Sequence, residues 1–441
     1  MGDVDTQAQP PASTPPPSTP PSNPPAPAVT PLQEAAELLR QESGHLEPEL
    51  QLQLYARHPN AQWLLRAGKA VPAELVELSI HAIAAADAEG ALDALAEARI
   101  RDLGLAQRRF GFPSELYQDI QEIMVSLLRT TGADLPFPVE FAAERTIARV
   151  CVLLQEAAAK ADQEGLPPAL SGEVISVRRV SRRLSVVQLA AGSATFYQPG
   201  TVLPVMGPLT PGAWVPLPAA LPANRSGVLE FHIFHEDTGS PEHLLATARL
   251  GERWIVGSHG STAPKVADQE LLIIATKSGA AVARCVVTDL VSRQLNPRIH
   301  VFLAARYPGE LYDAPAWHNL SSLAPRLRVS AVSVEDADPW WVAGPGTNNS
   351  STSSAWVHGS LRSSQHQEFS AVHYGAVAQV VSAFGTWSDR QVLVCGPRLN
   401  ESEASAGYGT LADAQAMEPT VISRELIEAG VPAENIQVLG F

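Results

Sequence analysis

Cysteine is scarce in this 441-residue chain: there are three, Cys151, Cys285 and Cys395. An odd number at such wide spacing makes neither a disulfide framework nor a zinc ribbon, and it suits a reducing compartment. Basic residues are in short supply too, 31 Lys and Arg against 46 Asp and Glu, for a net charge of -15. That balance argues against a protein that grips nucleic acid through its phosphates. No run approaches the ~18 consecutive apolar residues of a membrane-spanning helix. A basic leader is missing as well, since Asp3 and Asp5 stand near the start with no apolar stretch behind them. The expectation is a soluble, cytoplasmic protein without a signal peptide. Gly-x-Ser-x-Gly elbows, Walker loops and His-Glu-x-x-His motifs are absent. His232 and His235, three apart in a strand-like run, point to opposite faces and make no metal pair.

Proline is plentiful at one end. Residues 1–31 are rich in Pro, Ser, Thr, Ala and Gln, too poor in large apolar groups to offset chain entropy, which predicts a disordered, polyproline-like tail. Such a tail is either a docking arm for a partner with an aromatic groove or a solubilising extension. From 32 to 165 the apolar period is helical. Leu116, Ile120, Ile123, Met124, Leu127 and Leu128 share one face of a helix for which Ser114 is the expected N-cap, and Pro72 falls in the first turn of another. Residues 171–263 switch to short β-rich runs separated by Pro and Gly turns, the pattern of a small antiparallel barrel. From 266 onwards strand-like runs such as 270–275, 298–306, 327–334 and 392–395 alternate with helical ones, which predicts a parallel, doubly wound sheet. The Ser-rich stretch 345–369 reads as a long mobile loop.

The segment Arg108-Arg109-Phe110, with Tyr117 beyond it, resembles the haem-proximal region of the flavohaemoglobin family. In that family a histidine precedes the basic pair, and the resemblance puts Gln107 at its position and Tyr117 at the family's tyrosine. Leu54-Tyr55-Ala56-Arg57-His58-Pro59 is similar to the stretch after the distal tyrosine, which places Gln51 at that tyrosine and Leu75 at the distal glutamine. An amide oxygen is a poor iron ligand beside an imidazole nitrogen, so haem is not expected. His81, on the same helix as Leu75, reads as a surface or core residue.

Tyr197-Gln198-Pro199-Gly200 resembles the Pro-Gly turn of the ferredoxin-reductase FAD barrel. The family's Arg-x-Tyr-Ser falls on Ala213-Trp214-Val215-Pro216 and its Gly-rich phosphate turn on Gly239-Ser240-Pro241-Glu242. No arginine offsets a pyrophosphate there, Pro216 lacks a backbone donor, and Glu242 repels phosphate. Trp214 reads as packing in a barrel strand, with stacking on a ring as the other reading. The nicotinamide-nucleotide turn falls on Ala275-Thr276-Lys277-Ser278-Gly279 where the family has Ala-Gly-Gly-Thr-Gly. Thr276 and Lys277 crowd the approach of phosphate, while Lys277 adds charge and Gly279 survives. Cys395-Gly396-Pro397 and Phe441 resemble the family's nicotinamide-side cysteine and flavin-covering aromatic.

The expected fold is therefore multidomain: an all-α globin-like domain (32–165), an antiparallel FAD-type β-barrel (171–263) and an α/β parallel-sheet NAD(P)-binding-like domain (266–441), behind the tail 1–31. The resemblance implies oxidation of nitric oxide with oxygen, electrons passing from NAD(P)H through FAD to haem. With the proximal ligand, the flavin arginine and the glycine turn all replaced, the residues favour a pseudoenzyme that serves as a binding or regulatory module. The alternative is an NAD(P)H- and FAD-dependent oxidoreductase of the nitric oxide dioxygenase type with relaxed sites. Its residual flavin or nucleotide site would comprise Lys277, Gly279, Cys395 and Phe441. Either way no catalytic residue and no metal site is expected, and FAD or NAD(P) is the cofactor left open. An unidentified protein engaging the tail and a homodimer through the globin-like helices are the expected partners, with no nucleic acid and no membrane span.

Overall fold

The computed structural model describes residues 29–61, 71–235, 238–260, 263–266, 269–336, 369, 371–398 and 416–441. The Pro-rich residues 1–28 and all but the last residue of the Ser-rich stretch lie outside them.

The chain opens with helices α1 (Pro31–Gln41), α2 (Ser43–Arg57), α3 (Val71–Ala85), α4 (Ala94–Gln107), α5 (Leu116–Thr131) and α6 (Phe137–Gln163). Local chemistry fixes their starts. Thr30 Oγ1 accepts the Gln33 amide at 3.2 Å while Gln33 Oε1 accepts that of Thr30 at 2.9 Å, a capping box with Pro31 in the first turn. Asp93 caps α4 by accepting from the Ala96 amide at 2.7 Å. Ser114 does not cap α5, contrary to expectation. The first amides of that helix bond three residues back instead, Leu116 to Pro113 O at 3.1 Å and Gln118 to Glu115 O at 3.2 Å. A tightened first turn of this kind leaves no orphan amide for the serine. The buried stripes meet in one core that includes Leu50, Leu75, Ile83, Tyr117, Ile120 and Leu154. Gly104 lets α4 approach α6, because a Cβ there would meet Leu154 O at 2.7 Å.

A six-stranded antiparallel sheet follows, built from β1 (Ala169–Arg179), β2 (Leu184–Ala190), β3 (Val202–Met206), β4 (Val215–Pro218), β5 (Val228–Phe234) and β6 (Arg253–Gly257) in the order β4-β3-β6-β1-β2-β5. A bridge between Ala219 and Phe231 ties the two outer strands, so the sheet is a nearly closed barrel around Val187, Val205, Leu229, Phe231 and Trp254. A short helix, α7 (Pro241–Ala246), lies between β5 and β6. Trp214 stands just before β4 rather than within it and packs on the helical core, edge-on to Phe110 with ring centres 6.3 Å apart.

The last unit is a parallel sheet of β7 (Leu271–Thr276), β8 (Ile299–Ala305), β9 (Leu327–Ser333), β10 (Val372–Tyr374), β11 (Gln391–Gly396) and β12 (Ile436–Gly440), in the order β10-β9-β8-β7-β11-β12. Helices α8 (Gly279–Ser292), α9 (Ala314–Leu323), α10 (Val377–Phe384) and α11 (Pro419–Glu428) flank it. The strand period of two divides its residues between two cores. Leu271, Ile273, Ala275, Leu393 and Cys395 face one side, and Leu272, Ile274, Val392 and Val394 face the other. Helices cover both faces, which explains why β7, β8 and β11 are largely apolar and buried along their whole length. After β7 the chain builds outward through β8, β9 and β10, then returns to the opposite side of β7 as β11. The carboxyl ends of β7 and β11 therefore flank a topological switch point, the usual place for a ligand crevice in such sheets.

Candidate functional site

Three of the four residues expected to form a residual nucleotide site meet at that switch point, and Lys277 opens the turn beside them. Beyond β7, Lys277 takes a left-handed backbone conformation with φ of 52°, a region costly for a side-chain-bearing residue and comfortable for glycine. The turn keeps the shape a glycine would give it. Lys277 places its ammonium 4.7 Å from the ring centre of Phe234, at the end of barrel strand β5. Thr276 is fully buried and its hydroxyl has no hydrogen-bond partner. Gly279 opens α8, and its freedom serves packing first: a Cβ would fall 2.2 Å from Cys395 O. Gly396 is needed likewise, because a Cβ there would sit 1.9 Å from Thr276 Oγ1.

Cys395 ends β11 wholly buried, its Sγ 3.5 Å from Gly279 O and 3.7 Å from Ile274 O. Burial pushes its thiol well above the ordinary range, which disfavours the thiolate that a nucleophile needs. Phe441 joins the same strand end through its backbone. Its amide donates to Gly396 O at 3.3 Å and its carbonyl accepts from Arg398 at 2.8 Å, while its ring lies half-buried against the core shared with Cys395.

The barrel meets the parallel sheet through a charge network that sequence reasoning missed. Glu230, 3% exposed within β5, accepts from Arg284 of α8 at 2.6 Å, from Gln188 at 2.7 Å and from His232 at 3.1 Å. With Nε2–H of His232 turned to Glu230, Nδ1 accepts the Tyr312 hydroxyl at 2.8 Å. Arg284 also reaches Asp313 at 2.8 Å, and Arg183 of the barrel donates to Glu310 at 2.8 Å. Burial disfavours the Glu230 carboxylate, yet the His232 hydrogen bond and the Arg284 charge outweigh it and hold its pKa down at about 2. The available signal was Glu230 among the apolar residues of Val228–Phe234, with His232 two positions on, which says that a partner is needed without saying which. Near the Pro-Gly turn, a cleft of about 330 Å³ is lined by Gln198, Pro199, Lys265, Val286 and Asp289, among others.

The haem-pocket equivalents fall partly together. Gln107 is fully buried at the end of α4, and Tyr117 donates its hydroxyl to Gln107 Oε1 at 2.7 Å. The amide nitrogen of Gln107 faces Glu74 Oε2 of α3 at 3.5 Å, and Leu75 beside it is buried in the core. Gln51 is half-buried and directs its amide to the Tyr55 hydroxyl, 2.7 Å away, rather than to that pair. The core beneath holds a void of about 10 Å³ lined by Leu39, Leu46, Val76, Ile80, Ile83 and Met124, among others, about the room of one water.

No protein-family model matches the chain, and no curated protein matches it. Solved structures do. A flavohemoglobin from Malassezia yamatoensis, solved with bound FAD and heme, is similar over 93% of this chain and 99% of its own, at 12% identity and a TM-score of 0.63. The ferredoxin reductase in carbazole 1,9a-dioxygenase is similar over 62% of this chain and 69% of its own, at 20% identity and a TM-score of 0.45. The FAD/NAD-binding domain of nitric oxide dioxygenase from Vibrio cholerae is similar over 62% and 100%, at 13% identity and 0.43. These last two are too loose to carry an argument, and the first speaks for the fold alone. In fold, the chain is an all-helical region followed by a nearly closed antiparallel barrel and a parallel sheet, an architecture similar to that flavohemoglobin's over 93% of this chain.

Proposed function

We propose that the two lobes form a reductase-type module that takes FAD and NAD(P)H, and that the helical region is a globin-like domain without haem. In this reading the globin-like domain spans 32–165, the FAD-type barrel 171–263 and the NAD(P)-type domain 266–441. The switch-point cluster carries the nucleotide reading. There the orphaned Thr276 hydroxyl, the left-handed Lys277 and the start of α8 stand beside Cys395-Gly396. Lys277 and the positive end of the α8 dipole suit a nucleotide phosphate, and the Thr276 hydroxyl has no other partner. A bound flavin supplies hydride acceptance and one-electron release. The chain's own part is to bind, to orient and to hold the lobes together through Glu230 and Arg284.

Haem does not fit these residues. An amide is a poor iron ligand beside an imidazole, and the Gln107 amide is engaged by Glu74 at 3.5 Å. The Gln107 oxygen is already taken by Tyr117.

A second reading, the pseudoenzyme, has its own observation. The barrel offers Ala213, Val215 and Pro216 where a flavin pyrophosphate calls for arginine, and Glu242 sits in the first turn of α7. Purification with added FAD, gel filtration and an absorption spectrum separate the two. The reductase reading expects flavin bands that travel with the protein and bleach on adding NADH or NADPH. A featureless spectrum, with no tryptophan quenching by FAD or NADPH, would leave the binding-module reading in its place.

A further inference from the structure

A cleft of about 330 Å³ opens where the Pro-Gly turn of the barrel, the linker around Lys265 and the second half of α8 come together. The three meet at its wall, since a Cβ on Gly200 would stand 2.8 Å from Pro264 and 3.3 Å from Val286. The cleft is separate from the nucleotide cluster. With a rise of about 1.5 Å per residue, Val286 to Arg293 lie roughly 10–20 Å down α8 from Gly279. The linker is anchored at the amino edge of the parallel sheet, where Gln391 opens β11. Gln391 donates its side-chain amide to Lys265 O. Gln437 donates to that oxygen at 2.8 Å and accepts the Lys265 amide at 2.8 Å.

The lining is apolar below and charged above. Val286 and Leu290, 2% and 3% exposed, form the floor, with Pro199 beside them. At the rim Arg293 is paired with Asp289 at 3.2 Å. Lys265 is exposed at the same rim, and its ammonium has no partner among the described residues although its peptide is held on both sides.

We propose that this cleft binds an organic monocarboxylate with a compact apolar body, an aryl or short alkyl acid. Its carboxylate pairs with Lys265, and its body lies on Val286, Leu290 and Pro199. The volume is at the lower end of the ~300–1,000 Å³ of small-molecule sites, which favour junctions between domains. Asp289 limits the charge: it answers Arg293 and repels a second negative group, so phosphates and nucleotides are poor ligands here. A ligand so placed touches the barrel turn and α8 at once. The assignment is independent of whether a flavin or nucleotide binds at the switch point.

The test is calorimetric titration of the full chain with cinnamate and with its uncharged counterpart, cinnamyl alcohol. One cinnamate per chain is expected, the alcohol binding about tenfold more weakly or worse for want of one charge-assisted hydrogen bond. Lys265→Gln should lose about the same, and Gln198→Trp, at an exposed rim position, should block the mouth and lose at least as much. Lys160→Gln, exposed on α6, should bind as the parent does, and saturating FAD or NADPH should leave cinnamate binding unchanged. Competition by either cofactor overturns the assignment, as does unaltered binding in both rim variants. Absence of binding, or equal binding of acid and alcohol, overturns it on the parent chain alone, even if a variant fails to fold.

Discussion

A methyl group at position 279 would land 2.2 Å from the carbonyl of Cys395, so Gly279→Ala drives the start of α8 away from β11. We expect a loss of about 1–3 kcal/mol, as for other overpacked sites, read from urea unfolding. Lys277 sets up the opposite contrast. Lys277→Gly relaxes a left-handed residue and leaves stability the same or higher, while NADPH affinity falls about tenfold for want of one phosphate contact, near 1.4 kcal/mol. Fluorescence titration measures it, and undiminished affinity would remove Lys277 from the site. For the helical region the decisive change is Gln107→His. It supplies the imidazole that a haem protein uses, yet Glu74 stands 3.5 Å from the Gln107 amide. Added haemin should therefore keep the broad absorption of the free compound, and a sharpened, shifted Soret band that travels with the protein would reopen the slot between α3 and α4.

At the scale of elements, β5 and α8 are joined by the pair Glu230–Arg284, whose side chains are 4% and 17% exposed. Removing one partner of a buried pair strands the other charge. Arg284→Met should therefore cost about 3–5 kcal/mol in the reductase lobes, seen as a lower midpoint in thermal unfolding. His232 and Gln188 still hold Glu230 in that variant, which places the loss toward the lower figure. The Pro-Gly turn meets α8 as well. Gly200 adopts φ of 83° with Pro264 and Val286 where its Cβ would be, so the turn serves packing between the lobes whether or not a flavin is bound.

For the whole molecule, acid acts on the contact between the lobes. The folded Glu230 has a pKa of about 2 against 4.5 for the free group. Its contribution is thus fully present above pH 4.5 and lost as the pH falls from there toward 2. His235 and His300, both depressed to about 4 mainly by burial, work in the same direction. Their neutral forms are favoured in the fold, so stability declines as the pH drops from 6.5 through 4. Thermal midpoints should fall steadily below pH 6.5 and more steeply below 4.5, with scattering reporting separation of the lobes. A midpoint flat across that window would count against both assignments.

The sequence by itself determined the class of each unit. Helical spacing from Leu116 to Leu128, alternating runs such as Val228–Phe234 and unbroken apolar strands such as Leu271–Thr276 each carry a period that only one kind of element can bury. The resemblance named Lys277, Gly279, Cys395 and Phe441 together as a residual nucleotide site, and a parallel sheet brings its strand ends to one edge. Tertiary structure decided what those residues touch. That Gly279 is held open by Cys395 rather than by a phosphate, and that Glu230 finds Arg284, are distances between segments more than 50 residues apart. The meeting of His235 with His243, edge-on with ring centres 4.6 Å apart, depends on where α7 starts after β5. No periodicity encodes such contacts: local preference fixes how a segment folds, whereas which side chains meet depends on how the finished elements pack.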